Sequence, residues 1–390
     1  MRLYDQSVNR KGRKPEMRNT HLKWIALALA LCIALTVGSA IAFADGSSSY
    51  IYSYDDMFTK RDLKQTADLT GAVEYTVTDG QDIRITNEGV YVLTGTASDV
   101  TVSVEAGEED KVQLVLDGLT VTNGSSPAIY VKTADKVFVT VSGDSSLSVT
   151  GPFDSSDKAD GVIYSKCDIV LNGASTLTVS SPENGIVGKD DLKITGGTFA
   201  INAGSKAIAA NDSIRIADGT LNLTAGTDGL HAENSDDDSL GYIYIAGGTI
   251  SIQAGDDCIH ATSVIQVNDG KITVAGSEGL EGTYIQINGG TLSVSGTDDG
   301  INAGQKSDSY KTKIEINGGS ITIVMASGDT DGIDSNGDIV INGGVISVTG
   351  SSTFDCDGTA TYNGGTIIVN GQKVSYIPVQ TMGGGRGFRR

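Results

Sequence analysis

The stretch DGLHAE at 228–233 returns as DCIHAT at 257–262, DGINAG at 299–304 and DGIDSN at 331–336. Aligned on that start, the chain divides into units beginning at Asp160, Asn184, Lys206, Asp228, Asp257, Glu278, Asp299, Asp331 and Ser352. Five of the eight spacings are 21 or 22 residues, and the longer ones hold insertions. A period of that length means stacked supersecondary units, so 390 residues need not split into the two or three domains that length alone suggests. Each unit opens with a short segment such as GLHA, followed by two segments of period-2 alternation such as YIYIAGG and TISIQAG. Alternation puts Ile243, Ile245, Ile250 and Ile252 on one face, and the same places later hold Ile285, Ile287, Leu292 and Val294. Three strands per unit with no helix between them predict an all-β fold, a right-handed parallel β-helix. Its coils stack about 4.8 Å apart and bond through their backbones to the coils above and below.

Turn chemistry agrees with that reading. Gly247-Gly248, Gly289-Gly290 and Gly343-Gly344 suit a tight turn between the second and third strands, where positive φ is needed. Asn268, Asn288, Asn317, Asn342 and Asn363 stand before that turn in successive units and are placed to bond to one another along the axis. Residues 73–382 are assigned to the β-helix, whose early segments VYVLTG, VTVSVEAG, VQLVLDG, AIYVK and VFVTVSG read as less regular coils. Before it, 45–72 contains DDMFTKRDLKQTADL, which reads as a short amphipathic capping helix for the open end. The tail GGGRGFRR at 383–390 is expected to be disordered.

Residues 1–44 have the order of a secretory signal peptide: basic residues, the apolar run WIALALALCIALTV, then Ala42-Phe43-Ala44. Cleavage after Ala44 exports the chain to the extracellular space, without stable membrane insertion; an uncleaved anchor, long enough to span a bilayer, would hold it at the cell surface. The leader carries seven Lys/Arg and two acids, so its loss moves the net charge from −20 to −25. A surface so acidic repels nucleic acid and anionic membranes and invites divalent cations. Cys167, Cys258 and Cys356, odd in number and widely spaced, encode no disulfide framework. Cys258 stands where glycine usually follows the acid, either packed as a small residue or reactive.

Stacking turns the repeat into columns. The first position reads Asp228, Asp257, Glu278, Asp299, Asp331, doubled by Asp256 and Asp298. Three places on, the outward column reads His231, His260, Glu281, Asn302, Asp334, Asp355. Unscreened carboxylates about 5 Å apart repel by roughly 1–4 kcal/mol per pair. Calcium, with six to eight oxygen ligands, is the expected counter-ion, its candidate ligands being Asp228, Asp256, Asp257, Glu278, Glu281, Asp298, Asp299, Asp331 and Asp334. Two other readings stand beside it: a solvated acidic turn with no ion, and zinc on His231, His260 and Glu281. The insertions at 233–242 and 304–312 are expected to form walls flanking a floor of His260, Thr262, Glu281 and Thr283. His231 and Asn302 extend that candidate carbohydrate groove, with Tyr242, Tyr244, Tyr284 and Tyr310 beside it for stacking on sugar rings. Asp236, Asp237 and Asp238 read as a second ion site or a solvated loop.

The stretches DDMFTKRDLKQTADLTGA, VYVLTGTA, VQLVLDGLTVTN, DGLHAEN, DDDSLGYIYIAGGT, DDGINAGQKS and SGDTDGIDSNG closely resemble a family of secreted bacterial carbohydrate-binding proteins. The likeness covers essentially the whole mature chain. It implies a polysaccharide-lyase-like (pectate-lyase-like) solenoid that binds cellulose and acidic sugars such as polygalacturonate, carries calcium and lacks demonstrated lyase activity. The residues alone leave an enzyme open. A lyase needs a base beside its calcium, and Lys206 and Arg215 are the candidates. The function expected is therefore a monomeric calcium- and polysaccharide-binding protein; a polysaccharide lyase or hydrolase, and a surface adhesin, are the alternatives.

Overall fold

The computed structural model describes residues 50–379 except Ser155, Asp157 and Asp329, so the expected leader and the glycine-arginine tail lie outside the described residues. Within them are 36 strands and one helical turn, Tyr54–Met57. No helix among the described residues is long and apolar enough to cross a membrane.

The strands form a twelve-stranded sheet and a 24-stranded sheet, the latter made of two columns. One coil shows the rule: Leu230–Ala232 enters the smaller sheet, then Tyr242–Ile245 and Thr249–Gln253 enter the larger. In the next coil Ile259, Ile265 and Ile272 pair in parallel with Leu230, Ile243 and Ile250. Every inward side chain therefore meets its own equivalent. Leu230, Ile259, Leu280, Ile301, Ile333 and Phe354 form one inward column, each wholly buried. Burial of such a side chain contributes about 1.5–3 kcal/mol, and the columns run the length of the solenoid.

The spacing read from the repeat holds with one exception: Asn184 pairs with Gly161 rather than Asp160, so the first unit starts one residue later. The early coils join the same sheets but are less regular, as expected: the register shifts between Leu93 and Gly95 and between Val104 and Glu105, and Gly89–Ser98 and Lys111–Asn123 are long enough to serve both columns of the larger sheet. Gly248, Gly290 and Gly344 turn with φ of 94°, 79° and 83°. The asparagines form a continuous ladder. Asn363 donates to Asn342, Asn342 to Asn317, Asn317 to Asn288 and Asn288 to Asn268, at 2.7–2.8 Å. The Tyr244 hydroxyl accepts the last donor at 2.9 Å.

The segment 50–68 lies along the flank of the larger sheet as a strap. Ile51 and Tyr52 bond to the side chains of Gln286 and Gln266, and Gln65 bonds to Thr195 and Gly173. Arg61 lies 4.6 Å over the Phe138 ring. Its single helical turn, N-capped by Ser53, packs Met57 beside Tyr242 and Tyr244. These contacts are with coil flanks rather than with an open end.

Candidate functional site

Outward positions of the twelve-stranded sheet fall into one line because the register repeats. His231 pairs with His260, His260 with Glu281, Glu281 with Asn302, Asn302 with Asp334, and Asp334 with Asp355. Beside it Asp257 pairs with Glu278 and Asp299 with Asp331. The Asp257 backbone N–H donates to the Asp228 carboxylate.

Electrostatically the line divides in two. In the first half the carboxylates face imidazoles and one ammonium group. His231 lies with Nδ1 2.8 Å from Asp228 and Nε2 3.0 Å from Glu233. His260 Nδ1 is 2.7 Å from Asp257 and 2.8 Å from Glu281, whose other oxygen is 2.7 Å from Lys306 Nζ. The two imidazoles stack at 4.6 Å. Burial disfavours the charged imidazole, but the bonds to Asp257 and Glu281 outweigh it and lift His260 to about 9. Burial likewise works against an ionised Glu281, yet His260, Asp257 and Lys306 bring it down to about 2. Asp257 moves the other way, to about 6, through burial and the competing charge of Glu281. His260 and Lys306 thus offset part of the expected repulsion in this half, while Glu281 still opposes the ionisation of Asp257. Glu233 and Lys306 complete this network. Both were visible in the insertions, but nothing local signalled that they fold back onto the column.

The second half holds oxygens without such partners. Burial, then Glu281, Asp257 and Asp299, push Glu278 up to about 8. Asp299 is raised to about 6 by burial and then Asp334, Asp298 and Asp331. Asp334 is raised to about 6 by burial and then Asp355, Asp331 and Asp357. Asn302 Nδ2 donates to Glu278 at 3.1 Å, while Asn302 Oδ1 is buried without a partner among the described residues. A hard cation prefers oxygen donors. Asp257, His260 and Glu281 do bring one ligand atom each within 4.8 Å of one another, but that set contains a nitrogen already shared between two carboxylates. Glu278, Asp299, Asn302, Asp331 and Asp334 offer only oxygens, but among the described residues their carboxylates do not bring three ligand atoms as close together as that set does. Asp256 and Asp298 are exposed, outside both groups.

The raised Glu278 makes a prediction. Its protonated form is favoured in the fold, so its contribution is fully present below about pH 4.5 and is lost as pH rises through about 8. In chelator, Glu278→Gln is expected to raise the melting midpoint at pH 8.5 and leave it nearly unchanged at pH 4.5. An equal change at both pH values would refute the linkage.

Three expectations are corrected. Tyr242 and Tyr244 are buried at 6% and 0% exposure. They stand on the larger sheet beneath the strap, where Tyr52 stacks on Tyr242 at 4.5 Å and Phe58 lies 6.0 Å from Tyr244. Tyr310 bonds to Tyr52 and Tyr284 donates to Glu315, so all four rings serve the chain's own packing. Thr262 and Thr283 are buried, and Thr283 Oγ1 accepts from Lys306 and Ser307 N–H. They are not groove floor. Nor do the insertions stand apart as two walls: Asp308 N–H and Ser309 Oγ both donate to the Asp238 carboxylate. That role replaces the ion site considered for Asp238. Arg215, held 2.6 Å from Asp191, is unsuited to act as a base. Cys258 is wholly buried and its thiol is pushed up to about 12 by burial, which favours the packed reading.

Comparison with known proteins agrees with this geometry. A family model described as carbohydrate-binding domain-containing protein matches residues 79–326 and 276–373. The chain belongs to that family. A carbohydrate-binding domain-containing protein of Acetivibrio thermocellus is 38% identical over 130 residues, covering 32% of this chain and 46% of the relative. The match therefore spans about half of that relative's length. A solved polysaccharide lyase-like protein from C. thermocellum, in a gadolinium derivative, is 32% identical with a TM-score of 0.51. It covers 52% of this chain and 90% of its own. This carbohydrate-binding family member thus has a polysaccharide lyase-like fold of parallel strands.

Proposed function

We propose that the protein is a secreted, non-catalytic binder of cellulose and of acidic polysaccharides such as polygalacturonate, with calcium held in the acidic half of the outward line. The observation that carries this reading is the line itself. His260, Glu281 and Asn302, with His231 buried at their upstream end, repeat at coil spacing on one face, as a ligand that is itself a linear repeat requires. Glu278, Asp299, Asn302, Asp331 and Asp334 would hold the ion. Calcium there would supply the positive charge that these oxygens lack and would attract a sugar carboxylate. In the first half His260 and Lys306 already face Asp257 and Glu281, so the reading places the ion in the other half.

The test pairs binding with turnover. The intact protein is expected to pellet with insoluble cellulose and to be retained on polygalacturonate, without the ultraviolet absorbance of an unsaturated product. Product formation would identify a lyase, and retention by neither glycan would defeat the reading in favour of an adhesin. Calcium at one hundred times its Kd stabilises a folded protein by about 2.7 kcal/mol. That increment is expected to vanish in chelator and in the E278Q/D299N variant. Equal calcium responses in the variant and the parent would place the ion elsewhere.

A further inference from the structure

Followed toward the first coils, the same outward line changes character. Upstream of His231 the register carries Ala209, Val187, Tyr164, Tyr130 and Ser103. Tyr130 and Tyr164 pack edge to face at 5.6 Å. One residue beyond the paired positions Val131, Ser165 and Gly188 stand Lys132, Lys166 and Lys189, one per coil. They lie over the tyrosine rings: Lys132 and Lys166 are 5.1 Å and 5.5 Å from the Tyr130 centroid, and Lys189 is 5.9 Å from that of Tyr164. Cation–π contact within about 6 Å holds such ammonium groups in place without neutralising them.

Only one of the three is neutralised by an acid. Lys132 lies 3.0 Å from Glu105. Lys166 and Lys189 are exposed and form no ion pair among the described residues. Lys166 and Lys189 follow the ends of neighbouring paired strands, so two ammonium groups recur at coil spacing, as a repeating anion laid along the line would meet them. At Tyr130 and Lys132 the line meets a polar cavity of about 220 Å³, lined also by Ser103, Ser126, Asp82 and Asp154. Drug-sized ligands fill roughly 300–1,000 Å³, so this cavity suits one sugar ring. Hydroxyl and carboxylate groups in its wall match sugar hydroxyls.

We propose that Lys166 and Lys189 form an acidic-sugar subsite, distinct from the His231–Asn302 stretch, in which they bind successive uronate carboxylates of a chain whose end ring enters the cavity at Tyr130. The inference rests on the polysaccharide-binding reading and extends it upstream by four coils, to Tyr130. Nucleic acid, another repeating anion, is disfavoured by the overall negative charge and serves as a control.

The experiment titrates the intact protein and its K166Q/K189Q variant with tri-galacturonate, with its methyl-esterified neutral form and with single-stranded DNA. The variant is expected to lose about tenfold or more in affinity for the acidic trisaccharide, along with most of its salt dependence. Affinity for the esterified form and pelleting with cellulose should be unchanged. Three results would overturn the subsite: equal affinity of variant and parent for the acid, equal loss for the neutral ester, or DNA binding as tight as the acid. Absence of tri-galacturonate binding with cellulose retention intact removes the subsite alone. Failure of the parent on every glycan removes the underlying reading as well.

Discussion

Gly226→Ala is expected to destabilise the protein by about 3 kcal/mol or more, and Gly204→Ala and Gly255→Ala should behave alike. A Cβ at Gly226 would lie 1.9 Å from the Gly204 carbonyl oxygen, and one at Gly255 would lie 2.1 Å from that of Gly226. At Gly204 the obstacle is the Pro182 carbonyl oxygen at 2.0 Å. These neighbours are backbone, not flexible side chains, and the same coils are tied together by Gly226 N–H to Ala203 and Gly255 N–H to Ala225 bonds. Relief therefore requires two coils to separate, breaking ladder hydrogen bonds on both sides of the turn. Overpacking usually costs about 1–3 kcal/mol, and a clash with fixed backbone belongs at or beyond the top of that range. Gly124→Ala is the control, since its Cβ would meet only the Asp99 carboxylate at 3.6 Å. Urea unfolding of the two variants decides the matter. Equal midpoints would mean the coils yield, and the stacking distance would not be set there.

Asp62→Ala is the second large effect, expected at about 3–5 kcal/mol. Asp62 is 1% exposed, with Oδ2 3.4 Å from Lys193 Nζ and accepting the Thr59 N–H, and Oδ1 3.9 Å from Lys136. Lys136 keeps Asp168 at 3.1 Å when Asp62 is lost, whereas Lys193 is left buried at 5% exposure without that partner. Burial already pulls the Lys193 pKa down, and Lys136 and Arg215 pull with it. For Asp62 itself burial favours the neutral acid, but the Thr59 bond and the two lysines prevail and lower its pKa. The stability it contributes is present above the unfolded carboxylate range, near 4, and is lost as pH falls through the lower folded value. Hydrogen exchange should show residues 50–68 opening in D62A at pH 7 and in the parent only under stronger acid. Unchanged exchange of the strap in the variant would show that Asp62 does not anchor it.

Much of the architecture was legible in the repeat. The period set the number of residues per coil, and alternation marked inward isoleucines such as Ile243 and Ile285. The asparagine-glycine turns then aligned successive coils, so the columns from Asp228 and His231 follow by addition. Reading them required no knowledge of distant contacts, because each residue bonds to its equivalent 21–32 residues away. What failed needed longer reach. Tyr242 and Tyr244 point away from the core as alternation demands, but outward is not the same as solvent-exposed. Their cover comes from Tyr52, Met57 and Phe58, almost 200 residues earlier in the chain, with no pattern linking the two. The insertions failed similarly: loop composition reports polarity, while the Asp238 bridge to Ser309 is a property of two loops meeting. The histidines were placed correctly, yet their pairing with Asp228, Asp257 and Glu281 depends on rotamers that composition does not carry.

The strap also fixes an order of events. Neighbouring coils join residues some two dozen positions apart, so the solenoid can zip along from any early nucleus with little loop-closure penalty at each step. Ile51, by contrast, reaches a partner 235 residues downstream and Tyr52 one 258 residues downstream. A chain synthesised from its N-terminus makes this segment first and can seat it only after most of the molecule has emerged. Its docking waits on the coils that carry Gln266, Gln286 and Tyr310, and protease resistance at residues 50–58 is expected only once those coils have formed.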